Sequence, residues 1–128
     1  MARTIQTDNA PKAIGPYSQA VLVDSCSDLL FASGQIPLSP TTGQMETGDI
    51  TAQTRLVMEN VRAVVEAAGF TLGNVVKSTI FLVDMGDFPK VNEVYAGYFT
   101  GSLPARATVA VAALPRGARV EIEVVCAR

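Results

Sequence analysis

From Ala105 to Val125, β-branched residues alternate with small or charged ones on both sides of Leu114-Pro115-Arg116-Gly117. The run reads as two strands around a Pro/Gly turn. Because successive side chains of a strand point to opposite sides, each strand has two different faces. In the first, Val109 and Val111 share one face and leave Arg106, Thr108 and Ala110 on the other; in the second, Val120, Ile122 and Val124 oppose Glu121, Glu123 and Val125. If both strands turn their valines to one core, Arg106 and Glu121 share the opposite face. A guanidinium and a carboxylate fixed there would suit a small carboxylic acid, since arginine grips a carboxylate with two parallel hydrogen bonds and a glutamate can hold a water. The same spacing also describes two surface charges or a salt bridge. A tight hairpin would hold the pair roughly 13 Å apart, at about 3.3 Å per residue. Either the strands are not simple hairpin neighbours, or the two groups converge across a subunit boundary.

The rest of the chain supplies the layers around these strands. A short strand is expected near Arg3 to Gln6, followed by an ordered loop from Asn9 to Ala20 that two prolines and Gly15 interrupt. Tyr17 in that loop is either a core aromatic whose hydroxyl the backbone satisfies or part of a cleft wall. Ala20 to Val23 and Leu29 to Ser33 read as an antiparallel pair joined by Asp24 to Asp28. Gly34, just after Ser33, marks either a bulge or a close approach by a ligand or another chain. Leu38 to Gly48 is a loop. Asp49 is a good N-cap for a helix whose Val57, Val61, Val64, Val65 and Ala68 form one buried stripe ending at Gly69. Arg55, Glu59, Arg62 and Glu66 would form its solvated outer row. Val75 to Val83 looks like a central strand. Asp87 would cap a second helix with Pro89 in its first turn and Val91, Val94, Tyr95, Tyr98 and Phe99 on its apolar face. Asn92 lies early in that helix, as a surface or cap-related group or as a ligand contact.

Two helices and about six strands define an α+β domain in which the helices cover only one face of a mixed sheet. The second, fairly apolar face then needs another partner. With 48% apolar and 17% charged residues in 128, a single domain over residues 1–128 is expected, closing into a homo-oligomer with its sheets turned inward and clefts between subunits.

Composition also excludes functions. The net charge of -2 and the isoelectric point near 5.0 give no attraction for a polyanion, so no nucleic acid is expected as a partner. Mean hydropathy is +0.29, yet no apolar run approaches the roughly 18 to 20 residues of a membrane helix. The first twelve residues carry no apolar signal core, and Cys26 and Cys126 read as free thiols; a cytoplasmic protein is the expectation. The absence of histidine removes His-based triads, imidazole bases and most zinc sites.

Five stretches resemble the reactive intermediate deaminase family, the Rid or YjgF-type proteins: Ala13-Ile14-Gly15-Pro16-Tyr17-Ser18-Gln19-Ala20, Ser33-Gly34-Gln35-Ile36-Pro37, Val91-Asn92-Glu93-Val94-Tyr95, Pro104-Ala105-Arg106, and Leu114-Pro115 through Val120-Glu121-Ile122-Glu123. The resemblance implies a chorismate mutase-like homotrimer, with three sheets forming an inner barrel and the helices outside. It implies hydrolysis of 2-imino acids, or their enamine tautomers, to 2-oxo acids and ammonia, with no cofactor and no metal. In that reading Arg106 holds the substrate carboxylate and Glu121 positions or activates the attacking water. Tyr17, Ser33, Gly34 and Asn92 shape the cleft, and the Thr108 backbone N–H and Pro115 line it. Thr108 stands where bacterial relatives often have cysteine, and the Asp24 to Asp28 turn is a few residues longer than usual. Two other functions compete: a non-catalytic metabolite-binding trimer, which needs Arg106 but not Glu121, and an endoribonuclease or translation inhibitor, against which the acidic charge balance argues.

Overall fold

The helix expected after Asp49 runs from Ile50 to Ala67 (α1) in the computed structural model, which describes residues 2–128. The Asp49 Oδ1 accepts the Ala52 N–H at 2.9 Å, satisfying one of the orphan donors of the first turn. Gly69, at φ 82°, turns the chain out of the helix. Val57, Met58, Val61 and Val65 are buried, each contributing roughly 1.5–3 kcal/mol of apolar burial. Ala68, placed on this stripe by its spacing, is instead the exposed C-cap, because the helix ends one residue before it. On the outer face Arg62 pairs with Glu59.

The second helix spans Phe88–Ala96 (α2) with Pro89 in its first turn. Asp87 precedes it as expected but makes no capping bond. Its carboxylate instead receives Arg119 Nη2, at 3.0 Å and 2.9 Å from the two oxygens. A charged partner outcompetes a backbone amide for the same oxygens.

The described residues form six strands: β1 (Ala2–Ile5), β2 (Ala20–Val23), β3 (Leu29–Phe31), β4 (Val75–Leu82), β5 (Ala105–Ala110) and β6 (Val120–Ala127). They divide into an antiparallel β1-β2 pair and a four-stranded sheet in the order β3-β6-β4-β5, rather than one six-stranded sheet. A single bridge, Ser18 to Ala105, joins the two. The expected pairing of β2 with β3 does not occur, since β2 pairs with β1 and β3 with β6. The connection between them is tied elsewhere: the Ser27 and Asp28 N–H groups donate to the Arg128 carbonyl at 2.6 and 3.0 Å, which lays β3 along β6.

Nor are β5 and β6 hairpin neighbours. β4 lies between them, parallel to β5 and antiparallel to β6, as a helical crossover through α2 requires. Both helices pack on the face that carries Ser78, Ile80, Leu82, Val120, Ile122 and Val124, all buried. The other face is bare in the single chain. It presents Phe31, Val125, Phe81 and Val109 across four strands, with Phe31 74% and Val109 42% exposed.

Candidate functional site

The sheet register decides where the two charges go. Arg106 is the β5 partner of Ser78, whereas Glu121 is the β6 partner of Phe81. Paired residues share a face and the face alternates along the strand. Arg106 therefore lies on the helix-covered side and Glu121 on the bare side, which corrects the expectation that they share a face. The valines do not all turn to one core: Val109 looks out with Glu121, while Val120 and Ile122 look in.

Around Arg106 the chain builds a cleft of about 260 Å³ lined by Ile14, Gly15, Tyr17, Phe88, Asn92, Arg106 and Thr108. The Arg106 Nη1 donates to Asn92 Oδ1 at 2.7 Å. Its guanidinium carbon stands 5.5 Å from the Tyr17 ring centre, 5.6 Å from that of Phe88 and 5.1 Å from that of Tyr95. Each such cation–π contact contributes on the order of 0.5–2 kcal/mol. Among the described residues no carboxylate pairs with Arg106. Burial lowers its pKa below the ordinary guanidinium value, with Tyr95 and Tyr17 acting the other way. A half-buried cation held by neutral groups has donors left over for an anion.

The loop that carries Tyr17 is tied to Leu103 and Pro104 through Ser18, and its start is gathered in by one amide. Gln19 accepts the Thr7 N–H at 2.7 Å and donates to the Thr7, Ala10 and Pro11 carbonyls at 3.1, 3.3 and 2.6 Å. Of the two readings of Tyr17 the cleft wall is the one its position fits: it is only partly buried and absent from the core, its ring lines the cleft, and its hydroxyl accepts the Ile14 N–H at 3.3 Å. Phe88, Ile14 and Tyr95 were not singled out as site residues by sequence. The signal was the helical spacing, since Phe88, Asn92 and Tyr95 stand at i, i+4 and i+7 and so share one face.

Glu121 has a different neighbour. A Cβ built on Gly34 would lie 2.8 Å from Glu121 Cδ and 3.0 Å from Cγ, so any larger residue there would displace the Glu121 side chain. The close approach to Gly34 thus comes from a side chain of the same protein. The backbone beyond it is pinned by Asn60 Nδ2, which donates to the Ile36 and Leu38 carbonyls at 3.2 and 3.0 Å. Ser33 is exposed beside Gly34, and Pro115 is exposed in the β5–β6 connection outside the Arg106 cleft. The expected site residues therefore fall into two separate groups on one chain, with Tyr17, Asn92, Arg106 and Thr108 in one and Gly34 and Glu121 in the other.

Thr108 has an unmet need. Its Oγ1 is buried without a hydrogen-bond partner, and such a hydroxyl costs about 1–3 kcal/mol. Replacing it with an apolar group of the same shape removes that cost. Thr108→Val is expected to raise Tm by about 2–5 °C in a thermal melt. A lower Tm would mean that the hydroxyl finds a partner outside the single chain.

A larger cavity, about 660 Å³, lies between the β1-β2 pair and the ends of the helices. Its Arg62 and Arg128 are already paired, with Glu59 and Asp28. No helix among the described residues is long and apolar enough to cross a membrane.

The chain is thus an α+β fold with both helices on one sheet face and, in an aromatic cleft, an arginine that pairs with no carboxylate among the described residues. The comparisons with known proteins name its kind. The profile of the endoribonuclease L-PSP family matches residues 7–128, and the chain belongs to this family, the YjgF or Rid type. Protein DfrA of Myxococcus xanthus is 60% identical over 98% of this chain and 95% of its own length. The mouse 2-iminobutanoate/2-iminopropanoate deaminase is 50% identical over 96% of this chain and 89% of its own length. Escherichia coli TdcF, solved with bound serine, superimposes with a TM-score of 0.76 at 43% identity, covering 98% of each chain.

Proposed function

We propose that this protein hydrolyses 2-imino acids to 2-oxo acids and ammonia, in a ring of three copies whose bare sheet faces turn inward. The observation that carries the reading is Arg106, half-buried, boxed by three rings and one amide, and without an ionic partner among the described residues. Such a group favours a carboxylate. The mouse relative's activity and the serine bound by TdcF support the same substrate class, a small α-substituted carboxylic acid.

In this reading a neighbouring copy brings its Gly34 and Glu121 over the Arg106 cleft, since one chain holds them on opposite faces. Ser33 and Pro115 approach with them. Arg106 and Asn92 fix the substrate carboxylate, and the Thr108 backbone N–H lines the cleft beside it. Glu121 takes a proton from a water as its oxygen bonds to C2, and the imine nitrogen gains a proton, giving a carbinolamine. Glu121 then passes its proton to the carbinolamine nitrogen, and as the C–N bond breaks the hydroxyl returns to solvent the proton that the imine nitrogen had taken from it, releasing ammonia and the 2-oxo acid. An imine is already electrophilic, so orientation beside one water is a modest demand.

The test is competition for an imine released in situ from 2-aminobutyrate by an amino-acid oxidase. The protein should suppress capture by semicarbazide in proportion to its concentration. Unchanged capture across several amino acids would remove the deaminase reading. The serine in TdcF favours one alternative, a binding protein without turnover, and Glu121 discriminates between the two.

A further inference from the structure

Behind Arg106 lies a polar pair that the reaction does not use. Tyr95 and Ser78 are both fully buried, and the Tyr95 hydroxyl donates to Ser78 Oγ at 2.9 Å. Ser78 is also the register partner of Arg106 on the neighbouring strand. On α2, Phe88, Asn92 and Tyr95 form one ridge, and all three meet the same guanidinium. Apolar packing alone lets a short helix slide and rotate over a sheet at little cost, whereas a directional bond does not.

We propose that Tyr95 and Ser78 are a positioning pair that fixes the α2 ridge over β4 and β5, and with it the height and orientation of the Arg106 guanidinium. The inference rests on the reading of Arg106 as a carboxylate grip. Tyr95 acts twice, through its ring under the cation and through its hydroxyl on Ser78. A buried hydroxyl on a strand face that otherwise carries the core aliphatics Ile80 and Leu82 has no packing advantage over alanine or valine. Its presence opposite Arg106 is explained by the bond it receives.

The experiment measures 2-oxobutanoate binding by titration calorimetry, beside imine hydrolysis kinetics. Tyr95→Phe and Ser78→Ala are each expected to weaken binding and raise KM roughly 10-fold, with kcat within about twofold, the size expected for loss of one buried hydrogen bond. Ser78→Thr, which keeps the hydroxyl, should restore both, and the double variant should be no worse than either single one. Val65→Ala, a core truncation in α1, should lower Tm while leaving binding within about twofold. If Tyr95→Phe and Ser78→Ala bind like wild type, or if Val65→Ala weakens binding in step with its Tm, the pair has only a structural role and the proposal falls. A wild type that binds no 2-oxobutanoate also overturns it. If the wild type binds this acid yet leaves imine capture unchanged, only the deaminase reading is lost, and the binding data still decide the role of the pair.

Discussion

Arg106→Ala is expected to lower kcat/KM for imine hydrolysis by about 10²- to 10⁴-fold, the loss of two charge-assisted hydrogen bonds to the substrate carboxylate at roughly 1.5–3 kcal/mol each. Arg106→Lys should fall in between. It keeps a charge but loses the planar fork and the stacking among Tyr17, Phe88 and Tyr95. The fold should survive either change, because no carboxylate among the described residues is left unpaired when the guanidinium goes. What is lost in packing against three rings is offset in part by relief of a half-buried cation. Semicarbazide competition reads the first effect and a thermal melt the second. If Arg106→Ala hydrolyses the imine at the wild-type rate, the substrate carboxylate is held somewhere else and the assigned cleft is wrong.

Much of this arrangement could be read from residue order. The α1 stripe, its Asp49 cap and its Gly69 stop were visible because each is a local signal, set by a spacing of three or four residues and a single turn. The bare sheet face followed from counting two helices against six strands. Strand pairing was not readable in the same way. Whether β5 runs beside β6 or beside β4 depends on which long-range pairing wins, and nothing near Leu114 to Arg119 encodes that β4 will intervene. That one topological fact reverses the relation of the two charges, because a residue's face follows from its own strand's alternation and from the strand it lies against. Val109, read as a core residue, is 42% exposed for the same reason. Asp87 failed as a capping group because Arg119, thirty-two residues on, was a stronger partner. Tyr95 was visible as an apolar helix residue but not as a support for Arg106, since that needs the position of Ser78 across the core.

Opposite faces make the composite site testable without a structure of the assembly. Glu121→Gln keeps the shape that fits against Gly34 but cannot take a proton from water. Its kcat should fall by about 10²- to 10⁴-fold, while 2-oxobutanoate, held by Arg106, should still bind nearly as well as to wild type. Equal fall of both would make Glu121 a binding group, and full activity would favour hydrolysis without a protein base. Mixing then separates one-chain from two-chain sites. In a closed ring each site takes Arg106 from one copy and Glu121 from the next, so an equimolar mixture of Arg106→Ala and Glu121→Gln chains, unfolded and refolded together, regenerates about one intact site in four. Two nearly inactive proteins should therefore yield roughly a quarter of wild-type activity. Every chain in that mixture carries one of the two lesions. If Arg106 and Glu121 served the same site within one chain, refolding them together would restore nothing, and an activity no greater than that of the separate variants would require the two half-sites to meet by some route other than a neighbouring copy.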